Sequence, residues 1–257
     1  MQCALFNAFF LTLTLTLPLA STARGAETCE ELIQKGDVFY AKLQAAEALK
    51  FYLPAERLDP NNVGLLVSIS REYRHLMSDA TKAGEKLQLG QTAVNYALRA
   101  VVLEPNNPQT QLALAISYGK MLPIEGTKQQ IASSRLIKIA VDKVIALDPT
   151  NDLAWHVLGR WYRGLADVGA VKRVFAELAY GKLPPATYED AERCFERAIA
   201  LNPNRLMHYI ELGRTCAKMG RDAVARKFIT IGLEMPETEK DDPETKDFGR
   251  QTLKKLR

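Results

Sequence analysis

The chain has 257 residues, 47% of them hydrophobic and 8% aromatic, ample material for a buried core. A formal charge of +4, without a Lys/Arg-rich run or a nucleic-acid-binding motif, argues against nucleic acid as a partner. Four cysteines without a CxxC pair and three histidines outside any ligand spacing offer no metal site, and no cofactor is expected.

Residues 1–23 carry no charged side chain and contain an apolar run from Leu11 to Leu19. Ser21-Thr22-Ala23 or Ala23-Arg24-Gly25 suits a signal peptidase, so 1–25 reads as a secretory signal peptide leading to a secreted or periplasmic protein. No Lys or Arg precedes the apolar run, which leaves an uncleaved membrane anchor as the alternative. Cys3 would leave with the signal. Of Cys29, Cys194 and Cys216, the last two fall on helices expected to be neighbours. A disulfide between them is geometrically conceivable, although buried free thiols are the expectation.

Over 27–240 one phrase recurs: an apolar run, an acidic or amide residue, then proline. It closes at Pro60, Pro105, Pro149 and Pro203, with a degenerate copy at Pro236. Proline lacks the amide proton a helix needs and clashes with the preceding turn, so each copy stops a helix. Before three of these stops a face of small and large residues repeats: Ala48, Tyr52 and Ala55; Ala93, Ala97 and Ala100; Ala191, Phe195 and Ala198. After each proline a second face follows. It reads Leu66, Ile69, Ser70 and Tyr73, then Gln111, Leu114, Ala115 and Tyr118, then Trp155, Leu158, Gly159 and Tyr162, with Tyr209, Leu212 and Gly213 as a weak last copy. The small residue of each set marks where the paired helix crosses. Trp155, Leu158 and Tyr162 are expected in the core. Together the two faces are similar to the tetratricopeptide repeat, W-x2-L-G-x2-Y then A-x3-F then P in about 34 residues. The expected fold is all-α, a tetratricopeptide-like α-solenoid of about five helical hairpins.

Two units carry insertions. Met121–Gln130 lengthens a turn before a helix through Ile131–Leu147. Gly164–Ala186 separates Tyr162 from the next helix, with an extra short helix over Val168–Tyr180, a stop at Pro184-Pro185 and a cap at Thr187 with Asp190. Glu237–Glu244 reads as a charged link. The C-terminal segment, 241–257, is expected to supply a polar capping helix from Asp247 that shields the last hydrophobic face.

In such repeats the first helix of each unit lines the concave face. Counting from the crossing residue places Arg71, Arg74, His75, Lys120, His156, Arg160, Arg163, Arg214 and Lys218 in the groove, above an apolar floor of Val67, Leu112, Leu153, Met207 and Ile210. None of the counted positions is acidic, so a basic groove is expected, suited to carboxylates or phosphates because arginine pairs with both through two parallel hydrogen bonds. The bland reading is that these arginines extend from a solvated helix face for solubility.

No catalytic pattern is visible. Ser68, Ser70, Ser78, Ser117, Ser133 and Ser134 lie outside any G-x-S-x-G elbow, and Glu189 with Glu192 reads as a solvated face. A non-catalytic binding or adaptor protein is expected.

The stretch L-P-P-A-T-Y-E-D-A-E-R-C-F-E-R-A-I-A-L-N-P (183–203), with Gly126-Thr127-Lys128-Gln129-Gln130-Ile131-Ala132 and W-H-V-L-G-R-W-Y (155–162), resembles the regulator of microtubule dynamics proteins. The resemblance covers roughly 35–240. It implies a tetratricopeptide-like domain without catalytic activity, and partners among microtubules or, for tethered members, organelle contact sites and lipids. An export signal would separate this chain from tubulin. The reading from the residues is therefore a groove for acidic peptides, protein C-termini or anionic lipid headgroups. Its alternative is a carrier closing around an acyl chain, with Met207, Ile210, Leu153, Leu112 and Val67 as lining and the arginines at the mouth. A purely structural subunit would bind neither.

Overall fold

The structure is a computed structural model that describes residues 27–169, 177, 181–182 and 184–256. The expected signal peptide or anchor, 1–25, and most of the extra helix expected over Val168–Tyr180 lie outside the described residues. Among the described residues the secondary structure is helical throughout. Five antiparallel hairpins follow one another: α1 (Cys29–Tyr40) with α2 (Ala45–Leu58), α3 (Val63–Asp79) with α4 (Ala83–Leu103), α5 (Pro108–Met121) with α6 (Thr127–Leu147), α7 (Asp152–Ala166) with α8 (Tyr188–Leu201), and α9 (Leu206–Lys218) with α10 (Asp222–Glu234). A final helix, α11 (Asp242–Leu253), packs on α9 and α10. This is the tetratricopeptide-like solenoid that the proline-stopped faces imply.

The repeated phrase does two jobs, both of them at the Pro60 and Pro149 junctions and one of them at Pro105 and Pro203. The residue before the proline folds its side chain over it: Asp59 Oδ1 accepts from the Asn61 amide at 3.4 Å, Asp148 Oδ1 from Thr150 at 3.0 Å, and Asn202 Oδ1 from Asn204 at 3.2 Å. The asparagine that follows then caps the next helix, with Asn62, Asn107 and Asn151 accepting from the amides of Leu65, Gln109 and Ala154. Thr187 and Asp190 form the expected reciprocal cap of α8.

The small residues set how close the helices come. Ala48, Tyr52, Ala55, Ala93, Ala97, Ala100, Ala191, Phe195 and Ala198 are all at 0% exposure. Gly159 sits under the Phe195 ring, where a Cβ would come within 2.9 Å of it. At Gly213 a Cβ would meet the Ile229 side chain at 2.6 Å and backbone as well, the Ala225 carbonyl oxygen at 2.8 Å. Leu158 is buried, while Trp155 and Tyr162 pack half-buried against the same cluster, Trp155 donating its indole N–H to the Pro149 carbonyl at 3.0 Å. Cys194 and Cys216 are buried free thiols, and burial pushes the Cys194 thiol up to about 12.

Two boundaries differ from expectation. α6 starts at Thr127, after a short 3-10 turn at Leu122–Ile124, because Gln130 donates to the Leu122 and Glu125 carbonyls and draws the chain straight into the helix. α11 starts at Asp242 rather than Asp247, because the Asp242 carboxylate accepts the amides of Thr238 and Glu239, both at 2.7 Å, ahead of the first turn.

Gly213→Ala is expected to destabilise the fold by about 1–3 kcal/mol through overpacking against backbone. Gly84→Ala in α4, where a Cβ meets nothing within 4 Å, should instead stabilise it by about 0.5–1 kcal/mol. Thermal or urea melts of the two variants check both signs.

Candidate functional site

The odd-numbered helices α3, α5, α7 and α9 line the inner face of the solenoid, and their side chains enclose a cavity of about 730 Å³. Of the residues expected in the groove, Arg71, Arg74, His75, Lys120, His156, Arg160, Arg163, Leu153 and Met207 line it. Five others do not. Ile210 is fully buried, with its side chain near Gly249 of α11 and Gly232 of α10. Val67 packs with Ala97, Ala113 and Leu114, and Leu112 joins the core between α6 and α7. Arg214 lies over the Phe248 ring at 4.7 Å, drawn under α11, and Lys218 turns to Asp167 at 2.8 Å. Each is held by a neighbouring element: Val67 and Leu112 by the adjacent hairpins, Lys218 by the end of α7, and Ile210 and Arg214 by α11, whose arrival turns the last unit's inner face into interior.

Two contributors to the wall carry no repeat signature. The end of α1 and the turn after it supply Tyr40 and Leu43, the latter with φ +57°, a conformation that costs a side chain of this size energy and is held by Gln44 N–H bonding back to the Phe39 carbonyl at 3.0 Å. The link between α10 and α11 supplies Thr238, Glu239, Lys240 and Asp241, crossing from the last hairpin back to the second and third. Asp241 Oδ1 accepts from Ser78 at 3.0 Å and from Lys120 at 2.7 Å, and Lys240 pairs with Asp79 at 2.7 Å. Burial pushes the Asp241 carboxyl up, and Lys120 and Ser78 pull it down further, leaving it below its ordinary value. The only sequence trace of this strap was its density of charge.

Seven cationic side chains and three carboxylates line the cavity among the described residues. Most of the positive charge is already answered, by acids next to the counted groove positions. Glu72, at 0% exposure, takes Arg71 at 3.0 Å and His75 at 3.3 Å. Glu211 takes Arg163 and Arg214, and Asp152 takes Arg205 at 2.8 Å. Burial pushes the Glu211 carboxyl up, but Arg163, Arg214 and Arg160 pull it down by more, so it stays ionised far below the usual carboxylate range. Arg74 has no carboxylate partner among the described residues; Ser70 and Ser117 accept from it, each at 3.1 Å, and burial lowers its guanidinium to about 10. Arg160 is different. It is exposed on the cavity wall and makes no ion pair or hydrogen bond among the described residues.

Beside Arg160 runs a chain of three polar side chains. Asp152 Oδ2 meets His208 Nε2 at 2.9 Å, and His208 Nδ1 meets His156 Nδ1 at 2.9 Å. Burial holds His156 well below its ordinary pKa, with His208, Arg160 and Arg163 adding to it, and burial lowers His208 against the pull of Asp152. Sequence spacing could not show this pair, because the two histidines come from different hairpins.

The sequence pattern of the regulator of microtubule dynamics protein 1-3 family matches residues 32–257. The chain belongs to that family. It is similar to regulator of microtubule dynamics protein 1 of Bos taurus, 27% identical over 88% of this chain and 71% of that one. Against regulator 3 of Xenopus laevis it is 25% identical over 83% of this chain and 47% of that one, so it spans about half of that relative. A thermophilic TPR protein of Thermus thermophilus shares the fold, with a TM-score of 0.63 at 16% identity, covering 88% of this chain and 99% of that one. The family resemblance and the tetratricopeptide-like architecture read from the sequence are thereby both shown.

In this family member the buried groups lead to two outcomes. Glu211→Gln leaves two guanidiniums facing each other without a counter-ion and should cost about 3–5 kcal/mol, read from a thermal melt. Because the folded imidazoles of His156 and His208 resist protonation while unfolded histidine takes a proton near pH 6.5, their contribution is present above about pH 6.5 and is lost as the pH falls below it. The thermal midpoint should drop between about pH 7 and pH 5.5, and less steeply in His156→Gln.

Proposed function

We propose that this chain works by non-covalent binding, holding an anionic group against Arg160 inside the strapped cavity. The observation that carries this reading is the lone unpaired guanidinium on a wall where every neighbouring cation already has a partner among the described residues. A charge on a cavity wall that the protein leaves open is a place for a ligand's charge. The cavity volume suits a drug-sized ligand, and Leu43, Ile116, Leu153, Val157 and Met207 give its apolar portion a surface. The strap at 238–241 crosses the inner face, which favours a compact anionic amphiphile over an extended peptide.

A second reading keeps the same cation. The acidic C-terminus of a protein could enter end-on, as expected of a tetratricopeptide-like adaptor. Microtubules come into consideration through the family's name. The strap crosses the inner face, so a filament would have to meet the outer one. The apolar 1–25 segment supports export or membrane tethering, and the mass of the protein from its own compartment would report whether that segment is removed.

Decyl sulfate and decanol, equal in chain and different in charge, separate these readings. Decyl sulfate should bind saturably and change the emission of Trp161, which lines the cavity, while decanol binds at least about tenfold more weakly. Arg160→Glu should weaken decyl sulfate by about tenfold or more and leave the melting temperature near that of the parent. Equal binding of alcohol and sulfate, or saturable capture of acidic peptides with no binding of decyl sulfate, would overturn the compact-ligand reading.

A further inference from the structure

The chain Asp152–His208–His156 ends at the cavity, and its proton positions follow from its partners. Asp152 accepts from His208 Nε2 and also pairs with Arg205 Nε at 2.8 Å, so it is ionised and can only accept. His208 therefore carries its proton on Nε2, which leaves its Nδ1 bare. Across the 2.9 Å contact the proton must then sit on His156 Nδ1, because two bare nitrogens would repel. In the doubly neutral state this leaves His156 Nε2 as a bare lone pair. That atom has no hydrogen-bond partner among the described residues, and its ring lines the cavity.

A bare lone pair one helical turn from Arg160 is a poor neighbour for an anion. An anion oxygen that reaches Arg160 meets repulsion from His156 Nε2 unless a proton lies between them. We infer that anion binding in this cavity is proton-coupled: one proton is taken up at His156 Nε2 for each anion held by Arg160. The inference rests on the anion-binding reading above. The proton comes from solvent, or from the ligand where the ligand carries one. No heavy-atom bond is made or broken, and the hydrogen bonds from His156 Nδ1 to His208 and from His208 Nε2 to Asp152 persist. The extra positive charge is stabilised on one side by the anion and on the other by the chain ending in the Asp152 carboxylate.

The surroundings agree with this balance. On α7, Arg160 and Arg163 oppose a charge on His156, and on α9 Glu211 favours it. Arg205, just before α9, ties Asp152 to Glu239 of the strap. α8 presents the uncharged Phe195 ring edge-on at 5.4 Å. Along the cavity wall α5 brings Lys120, already held by Asp241, and α6 brings Ile137. The one repulsion that an incoming anion removes is that of Arg160, whose charge it neutralises.

A sulfate ester stays ionised throughout the neutral range, so any proton taken up on binding decyl sulfate sits on the protein. In a pH-stat at about pH 7.5, unbuffered protein titrated with decyl sulfate should consume close to one acid equivalent per ligand bound. Its affinity should fall about tenfold per pH unit above neutrality. His156→Gln, whose amide donates without titrating, should bind with no acid consumption and with an affinity independent of pH; a merely structural role for His156 would weaken binding and leave the proton count unchanged. Binding by the parent protein without acid consumption would overturn the inference and leave the anion site standing, as would an unchanged count in His156→Gln. Failure of decyl sulfate to bind at all would overturn both.

Discussion

Everything in this molecule follows from how closely its paired helices approach. Where Ala48, Ala55, Ala93, Ala100, Ala191 and Ala198 face their partners, no large side chain stands between the backbones, and in the first and fourth hairpins Tyr52 or Phe195 between the alanines fills what is left. Close approach on one side of each hairpin tilts it against the next, so successive hairpins curve and the odd-numbered helices turn toward a common interior. The interior wall is thus a consequence of small residues far from it. A Cβ at Gly213 or Gly159 would press on the α9–α10 or α7–α8 contact and alter the curvature that brings Arg71 and Arg160 to one cavity.

A curved inner wall concentrates charge, and this one would be unstable if its cations had no answer. Glu72 and Glu211 lie beneath the arginines, fully or almost fully buried, Glu72 kept ionised by His75 and Arg71 and Glu211 by Arg163, Arg214 and Arg160. Such pairs add less to net stability than their geometry suggests, because both partners have lost water. Their effect is on selection. Together with Asp152 they pair with Arg71, Arg163, Arg214 and Arg205, leaving Arg160 without an ion pair among the described residues.

The strap at 238–241 changes what the wall can do. An open tetratricopeptide groove receives an extended chain, whereas here Asp241 and Lys240 tie the C-terminal link to Ser78, Lys120 and Asp79, and α11 covers the last unit. The inner face is thus bridged between its last unit and the second and third hairpins. Contacts between the strap and the second and third hairpins are few and polar, so the closure depends on charge in a way that the hairpin packing does not.

How much of this was legible follows from the range of each interaction. The helix stops at Pro60, Pro105, Pro149 and Pro203, the buried alanine and aromatic faces and the fold class were all readable, because each is a local pattern of backbone chemistry and helical period. So was the placement of Arg71, Arg74, His75, His156, Arg160 and Arg163 on one wall, since a helix face is set by spacing within one element. Arg214, Lys218, Val67, Leu112 and Ile210 were counted onto that wall as well, and the contacts of each with other elements drew it elsewhere. The strap and the Asp152–His208–His156 chain depend on side chains from different hairpins meeting after the solenoid has curved, up to 163 residues apart. The sequence by itself determined which faces are buried and where each helix ends, because those forces act within a few turns. Only the tertiary structure decided which charges are paired and which one, Arg160, stays unpaired among the described residues, because electrostatic pairing follows distance in space.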